Sequence, residues 1–81
     1  MDKRFMSFVE EEIAKQLACK KEEVYMVWQC KTLQNIKGLF SSDVPQANGL
    51  YYEATYNGDK GELYLDNYKK VFNKVIKVSD M

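Results

Sequence analysis

Between Leu50 and Val78 almost every residue belongs to one pattern. Leu50, Tyr52, Ala54 and Tyr56 alternate with Tyr51, Glu53 and Thr55, the period-2 signature of a half-buried strand rich in aromatic and β-favouring residues. Asn57-Gly58-Asp59-Lys60 follows with turn chemistry, and a second strand runs on to Asp66. A two-residue turn at Asn57-Gly58 would set Glu53 opposite Glu62, a like-charge pair. A four-residue loop is therefore expected, setting Glu53 against Tyr64 and Thr55 against Glu62. Both registers keep Leu63 and Leu65 on the face of Tyr52 and Ala54, whereas a three-residue loop would turn one strand over.

Asp66 is placed to cap a C-terminal helix whose apolar positions Tyr68, Val71, Phe72, Val75 and Ile76 fall on one stripe. Lys70, Asn73, Lys74 and Lys77 lie opposite, and lysines late in a helix complement its dipole. That basic face reads as a solvated surface or as a place where an anionic partner docks.

The chain before Leu50 supplies the other elements. Residues 3 to about 19 have helical spacing: Phe5, Met6, Val9, Ile13 and Leu17 share an arc, Asp2 can cap it, and Glu11 and Lys15 form an i, i+4 pair. Phe8 lies off that arc, to touch a neighbouring element or solvent. After a charged connector, Lys20 to Glu23, the residues Val24, Met26, Trp28 and Cys30 alternate with Tyr25, Val27, Gln29 and Lys31. Both sets hold apolar members, as expected of a central strand covered on both faces. Thr32 to Asn35 turns the chain into a strand over Ile36–Ser41, where Gly38 signals a bulge or a close approach. Ser42 to Gly49, with the only proline, reads as a loop.

These elements give an α+β fold: an antiparallel four-stranded meander sheet flanked by an N-terminal and a C-terminal helix, α-β-β-β-β-α. Residues 1–81 form one small domain, with both helices on one sheet face. The other face would present Tyr51, Tyr64 and Tyr25, and exposed tyrosines are the residue type that interfaces favour.

Chemistry is harder to find. The chain has no histidine, which removes the commonest general base and any Ser-His or Cys-His nucleophile pair. Glu10-Glu11-Glu12 and Glu22-Glu23 are adjacent residues that point in different directions and read as solvated. Lys31-Thr32 resembles the end of a phosphate-binding loop, but Tyr25 and Cys30 stand where that motif needs glycine. The polar run Lys31, Thr32, Gln34 and Asn35 reads as a turn held by local hydrogen bonds. Cys19 and Cys30 match no zinc spacing and are expected as reduced thiols, so no cofactor or metal is implied.

Charge decides against a dedicated nucleic-acid binder. Twelve basic residues balance twelve acidic ones, so the basic excess such a binder uses is missing. The balance is uneven: residues 50–66 hold one lysine against four acids, residues 67–81 four lysines against one aspartate. Only Phe5 to Val9 separate Lys3-Arg4 from three glutamates, so no secretory leader and no membrane span are expected, and the setting is cytoplasmic. In a chain this small, self-association or partner binding would add stability.

The segments VYMVWQCKTLQN, LYYEATYNGDKGELYLD and NYKKVFNK resemble a family of small uncharacterised proteins encoded by phages and prophages of Gram-positive bacteria. The resemblance runs from about Val24 to Lys74 and is weakest over the N-terminal helix. That family has no established activity and no catalytic residues to carry over. The resemblance implies a small accessory phage protein working in the host cytoplasm by binding a protein. The expectation is thus a non-enzymatic interaction module for a host, defence or phage protein, or for a second copy of itself, with Tyr25, Tyr51, Tyr64, Lys70, Lys74 and Lys77 as candidate partner-binding residues. The alternative is a nucleic-acid-associated protein using the basic face of the last helix.

Overall fold

A computed structural model describes residues 3–79; the Asp2 cap lies outside that range. The chain forms a helix, α1 (Lys3–Leu17), and four strands, β1 (Val24–Thr32), β2 (Asn35–Ser42), β3 (Leu50–Asn57) and β4 (Glu62–Lys69). The strands make one antiparallel meander in the order β1-β2-β3-β4.

Helical spacing decides what α1 buries. Phe5, Val9, Ile13 and Leu17 recur every four residues, and all four sit in the core with Ala14. Met6 is only half-buried, and Phe8 points to solvent and stays 55% exposed. The helix stops where Ala18 takes the left-handed conformation, φ 55°, letting the Cys19 amide donate to the Ala14 carbonyl at 3.0 Å. The Leu17 carbonyl, which has no helical partner, accepts from Gln46 Nε2 at 2.7 Å. Lys15 pairs with Glu12 at 3.6 Å rather than with Glu11, which reaches Lys21 at 3.7 Å.

The sheet turns one face toward α1. Ile36, Gly38 and Phe40 of β2 stand beside Tyr56, Ala54 and Tyr52 of β3, which stand beside Leu63, Leu65 and Asn67 of β4. Gly38 is where helix and sheet come closest: a methyl group there would meet Phe40 Cε1 at 2.9 Å and Phe5 Cε2 at 3.3 Å. The expected close approach is real, and it is an aromatic ring that uses the space. The loop Asp43–Gly49 closes one end of the core with buried Ala47 and half-buried Val44.

Four expectations are corrected. First, β1 is an edge strand, because a meander places its first strand outermost. Second, β1 carries a bulge: Met26 pairs with Phe40 and Trp28 with Leu39, leaving Val27 as the extra residue. Beyond a bulge the alternation reverses, so Trp28 and Cys30 stand on the face opposite Val24 and Met26. Third, the β3–β4 loop is four residues long but begins one residue later, at Gly58. Asn57 stays paired with Glu62, while its side chain accepts from the amides of Asp59 at 3.1 Å and Lys60 at 3.3 Å. Gly61, at φ 64°, supplies the left-handed residue that closes the turn. This sets Thr55 against Tyr64 and Glu53 against Asp66, a like-charge pair offset by the Lys37–Glu53 ion pair at 3.5 Å.

Fourth, there is no C-terminal helix among the described residues. Asp66 to Lys69 pair with Glu53 to Leu50, so the ladder takes the residues meant to cap and begin the helix. The ten residues left to Ser79 are exposed and irregular. A helix so short is marginal in water, and Val71, Val75, Ile76 and Val78 are β-branched and stiff at χ1.

Two substitutions test this account. Ile13→Ala should lower unfolding free energy by about 2–5 kcal/mol, since Ile13 is fully buried and its loss leaves a cavity. Leu33, at the β1–β2 turn, is exposed and holds φ 56°, so Leu33→Asn should raise stability by about 1 kcal/mol. Urea unfolding of both variants checks the two signs.

Candidate functional site

The sheet face turned away from α1 has no described element over it, and strand register arranges its side chains in rows. Tyr25 stands beside Ser41, Ser41 lies one step past the Phe40–Tyr52 pair and so beside Tyr51, and Tyr51 faces Tyr68. The second row is Trp28, Leu39, Glu53 and Asp66; the third is Cys30, Lys37, Thr55 and Tyr64. A fourth, Thr32, Asn35, Asn57 and Glu62, ends the face at the hairpin turns. Tyr25, Trp28, Tyr51, Tyr64 and Tyr68 are all more than a third exposed. An aromatic ring placed by strand pairing loses little freedom when it docks, which makes such a face suited to binding.

Electrostatics gives the face an acidic character. Glu53, Asp66 and Glu62 project from it against one cation in these rows, Lys37. The Tyr64 hydroxyl donates to Glu62 Oε1 at 2.8 Å. That hydrogen bond first, then the charge of Glu62 and partial burial, raise the Tyr64 pKa above the usual tyrosine value. On the covered face, burial raises the Tyr52 pKa, helped by Cys19 nearby. Burial, then Glu23, likewise raises the Cys19 thiol.

At one end of the face, Tyr25, Tyr51 and Lys70 line a shallow cavity of about 440 Å³ with Ser41, Ser42 and the loop Asp43–Gly49. The chain leaves β4 beside it, the Lys70 amide donating to the Gly49 carbonyl at 2.7 Å. Both serines are committed to structure: Ser41 Oγ donates to the Leu50 carbonyl at 3.0 Å, and Ser42 Oγ donates to the Glu23 carbonyl while accepting from the Val44 amide. Among the described residues no cluster of His, Cys, Asp or Glu could hold a metal ion, and no helix is long and apolar enough to cross a membrane. Cys19 and Cys30 are free thiols in different surroundings, one packed against the core and one exposed beside Lys37.

Of the six residues singled out from the sequence, Tyr25, Tyr51 and Lys70 come together at this cavity. Tyr64 shares their face two rows away. Lys74 and Lys77 do not join them: without a helix there is no basic face, and both lie exposed on the segment after β4. Sequence reasoning did not single out Trp28, whose strand was read as covered on both faces, or Tyr68, counted in a helix stripe. Tyr64 and Tyr68 at even spacing along one strand were the available signal for Tyr68; nothing local marks the bulge that turns Trp28 outward.

Spectrophotometric titration of the tyrosines separates these environments. Two transitions should fall above the usual value near 10, and Glu62→Gln should bring one of them down while Tyr52→Phe removes the other. For buried Tyr52 the folded state favours the neutral phenol, so its contribution to stability is complete below the unfolded pKa. That contribution is lost as pH rises through the raised folded value, and alkaline unfolding should follow it.

A family model described as a family of unknown function (DUF6275) matches residues 2–78, and the chain belongs to that family. No curated protein and no solved structure matches it.

Proposed function

We propose that this member of the DUF6275 family is a non-enzymatic protein-interaction module that grips its partner with the uncovered face of its sheet. The observation that carries this reading is the set of aromatics, Tyr25, Trp28, Tyr51, Tyr64 and Tyr68, held at fixed spacing on one exposed face. Interfaces are enriched in tyrosine and tryptophan because these rings bury large area with few rotatable bonds. Glu53 and Asp66 between the tyrosine rows, and Glu62 at the turn end, complement a partner that carries basic groups among its apolar ones. Base stacking on a single nucleic-acid strand calls for a cationic groove beside the aromatics, and this face carries more carboxylates than lysines. The lack of histidine and the committed serine hydroxyls support a binding role over catalysis.

The resemblance of VYMVWQCKTLQN, LYYEATYNGDKGELYLD and NYKKVFNK to small phage and prophage proteins supports a biological setting. In that setting the protein is an accessory factor in the cytoplasm of a Gram-positive host, binding a host, defence or phage protein.

Immobilised wild-type protein exposed to host lysate should retain one stoichiometric protein at moderate salt. Trp28→Ser, Tyr51→Ser and Tyr64→Ser should each weaken retention, Trp28→Ser most, with melting temperatures close to wild type. Full retention by all three variants would rule the face out.

A further inference from the structure

The inner face of the sheet is only partly covered. Phe5 lies over Gly38 and Phe40, while Leu63 and Leu65 of β4 are left half-buried. Between them and α1 runs a trough of about 740 Å³, walled by Arg4, Phe8, Glu12 and Gln16 on the helix side and floored by the apolar Ile36, Tyr56, Leu63 and Leu65. On the same molecule, the segment after β4 displays Val71, Phe72, Val75, Ile76 and Val78 to water, all more than half exposed and Phe72 at 78%. Isolated exposed apolar side chains are ordinary, but five within eight residues form a sticky segment, and the trough has an unfilled apolar floor.

The match is one of apolar surfaces: the two charges on the trough wall, Arg4 and Glu12, are of opposite sign, and Glu12 pairs with Lys15 at 3.6 Å. Chain direction decides whose segment fills whose trough. The Lys70 amide bonds to Gly49 at 2.7 Å and carries the line of β4 beyond the sheet. The trough lies behind, toward Leu65, Leu63 and Gly61 at the start of that strand. Returning to it calls for a sharp turn, yet Lys69 to Phe72 contains no Gly, Pro, Asn or Asp. A turn at Asn73 would leave Val71 and Phe72 outside.

We propose that the segment Val71–Val78 of one copy seats in the α1–β4 trough of a second copy, and that the exchange is reciprocal about a two-fold axis. The ten trough-lining residues and the eight of the segment bring each copy close to the roughly 20–30 residues a side of a stable protein interface. The surface is separate from the aromatic face of the proposed function, so a dimer keeps that face open to a partner.

Analytical ultracentrifugation of the full chain, from low micromolar to sub-millimolar concentration, tests the exchange. Wild type should pass from monomer to dimer. Phe72→Asp combined with Ile76→Asp, both on a segment outside the core, should weaken the dimer about thirtyfold or more, as loss of a buried aromatic anchor does. Phe8→Asp, at an exposed position of the trough wall, should also weaken it. Mixing the segment variant with the Phe8 variant restores one intact contact, so the mixture should form heterodimer more readily than either variant self-associates. A monomer at every concentration, a dimer indifferent to the segment substitutions, or a dimer lost instead on Trp28→Ser would overturn the proposal. So would a monomer whose segment amides are protected from exchange, since that places the segment in its own trough.

Discussion

The contact of Phe5 with Phe40 across Gly38 sets the distance between helix and sheet. The ring centroids stand 6.1 Å apart at an interplanar angle of 56°, a tilted geometry that aromatic pairs prefer to face-to-face stacking. It exists because β2 has no side chain at residue 38: a methyl group would have to occupy the volume the two rings share. The rest of the core follows from that spacing. Val9, Ile13 and Leu17 descend along the same helix stripe, and Ala54, beside Gly38 on β3, is small where the layers approach most closely. The helix end is then tied to the loop at the sheet's rim by Gln46, and the first half of the helix to the connector by the Lys21–Ser7 hydrogen bond.

What could be read from the sequence was the part governed by period. The four-residue recurrence of Phe5, Val9, Ile13 and Leu17 and the alternation of β3 both reappear as burial, and the strand order follows from short connections. Parity survived even where register did not. Shifting the β3–β4 pairing by two residues moved Glu53 from Tyr64 to Asp66 and left Leu63 and Leu65 on the covered face. Local electrostatics had argued for the other register. It was outweighed by Asn57, whose side chain organises the turn while its backbone stays in the ladder, and by Lys37, which reaches Glu53 from β2.

What could not be read depends on the neighbouring strand. The bulge at Val27 is a mismatch in length between β1 and β2, so no window of β1 alone reveals it, yet it decides that Trp28 faces outward. The length of β4 is likewise set by its partner. Because β3 begins at Leu50, hydrogen-bonding partners extend to Lys69, and a cap and first helical turn that look convincing in isolation are drawn into the sheet. The candidate face was therefore half legible: Tyr25, Tyr51 and Tyr64 follow from alternation, while Trp28 and Tyr68 follow from pairing.

The same geometry explains why a chain with 46% apolar residues leaves so many of them in water. One helix is narrower than four strands, so α1 covers the inner face only in part and leaves Leu63 and Leu65 at its flank, and no described element lies over the outer face. A small domain has too little interior to enclose both. The two exposed surfaces differ in kind. On the outer face exposure is fixed by strand pairing, and the aromatics keep their spacing whether or not a partner is present. In the segment after β4, Val71, Phe72, Val75 and Ile76 are exposed and outside any described strand or helix, so whatever covers them must also order them. The hydrophobic gain is then reduced by the conformational entropy lost.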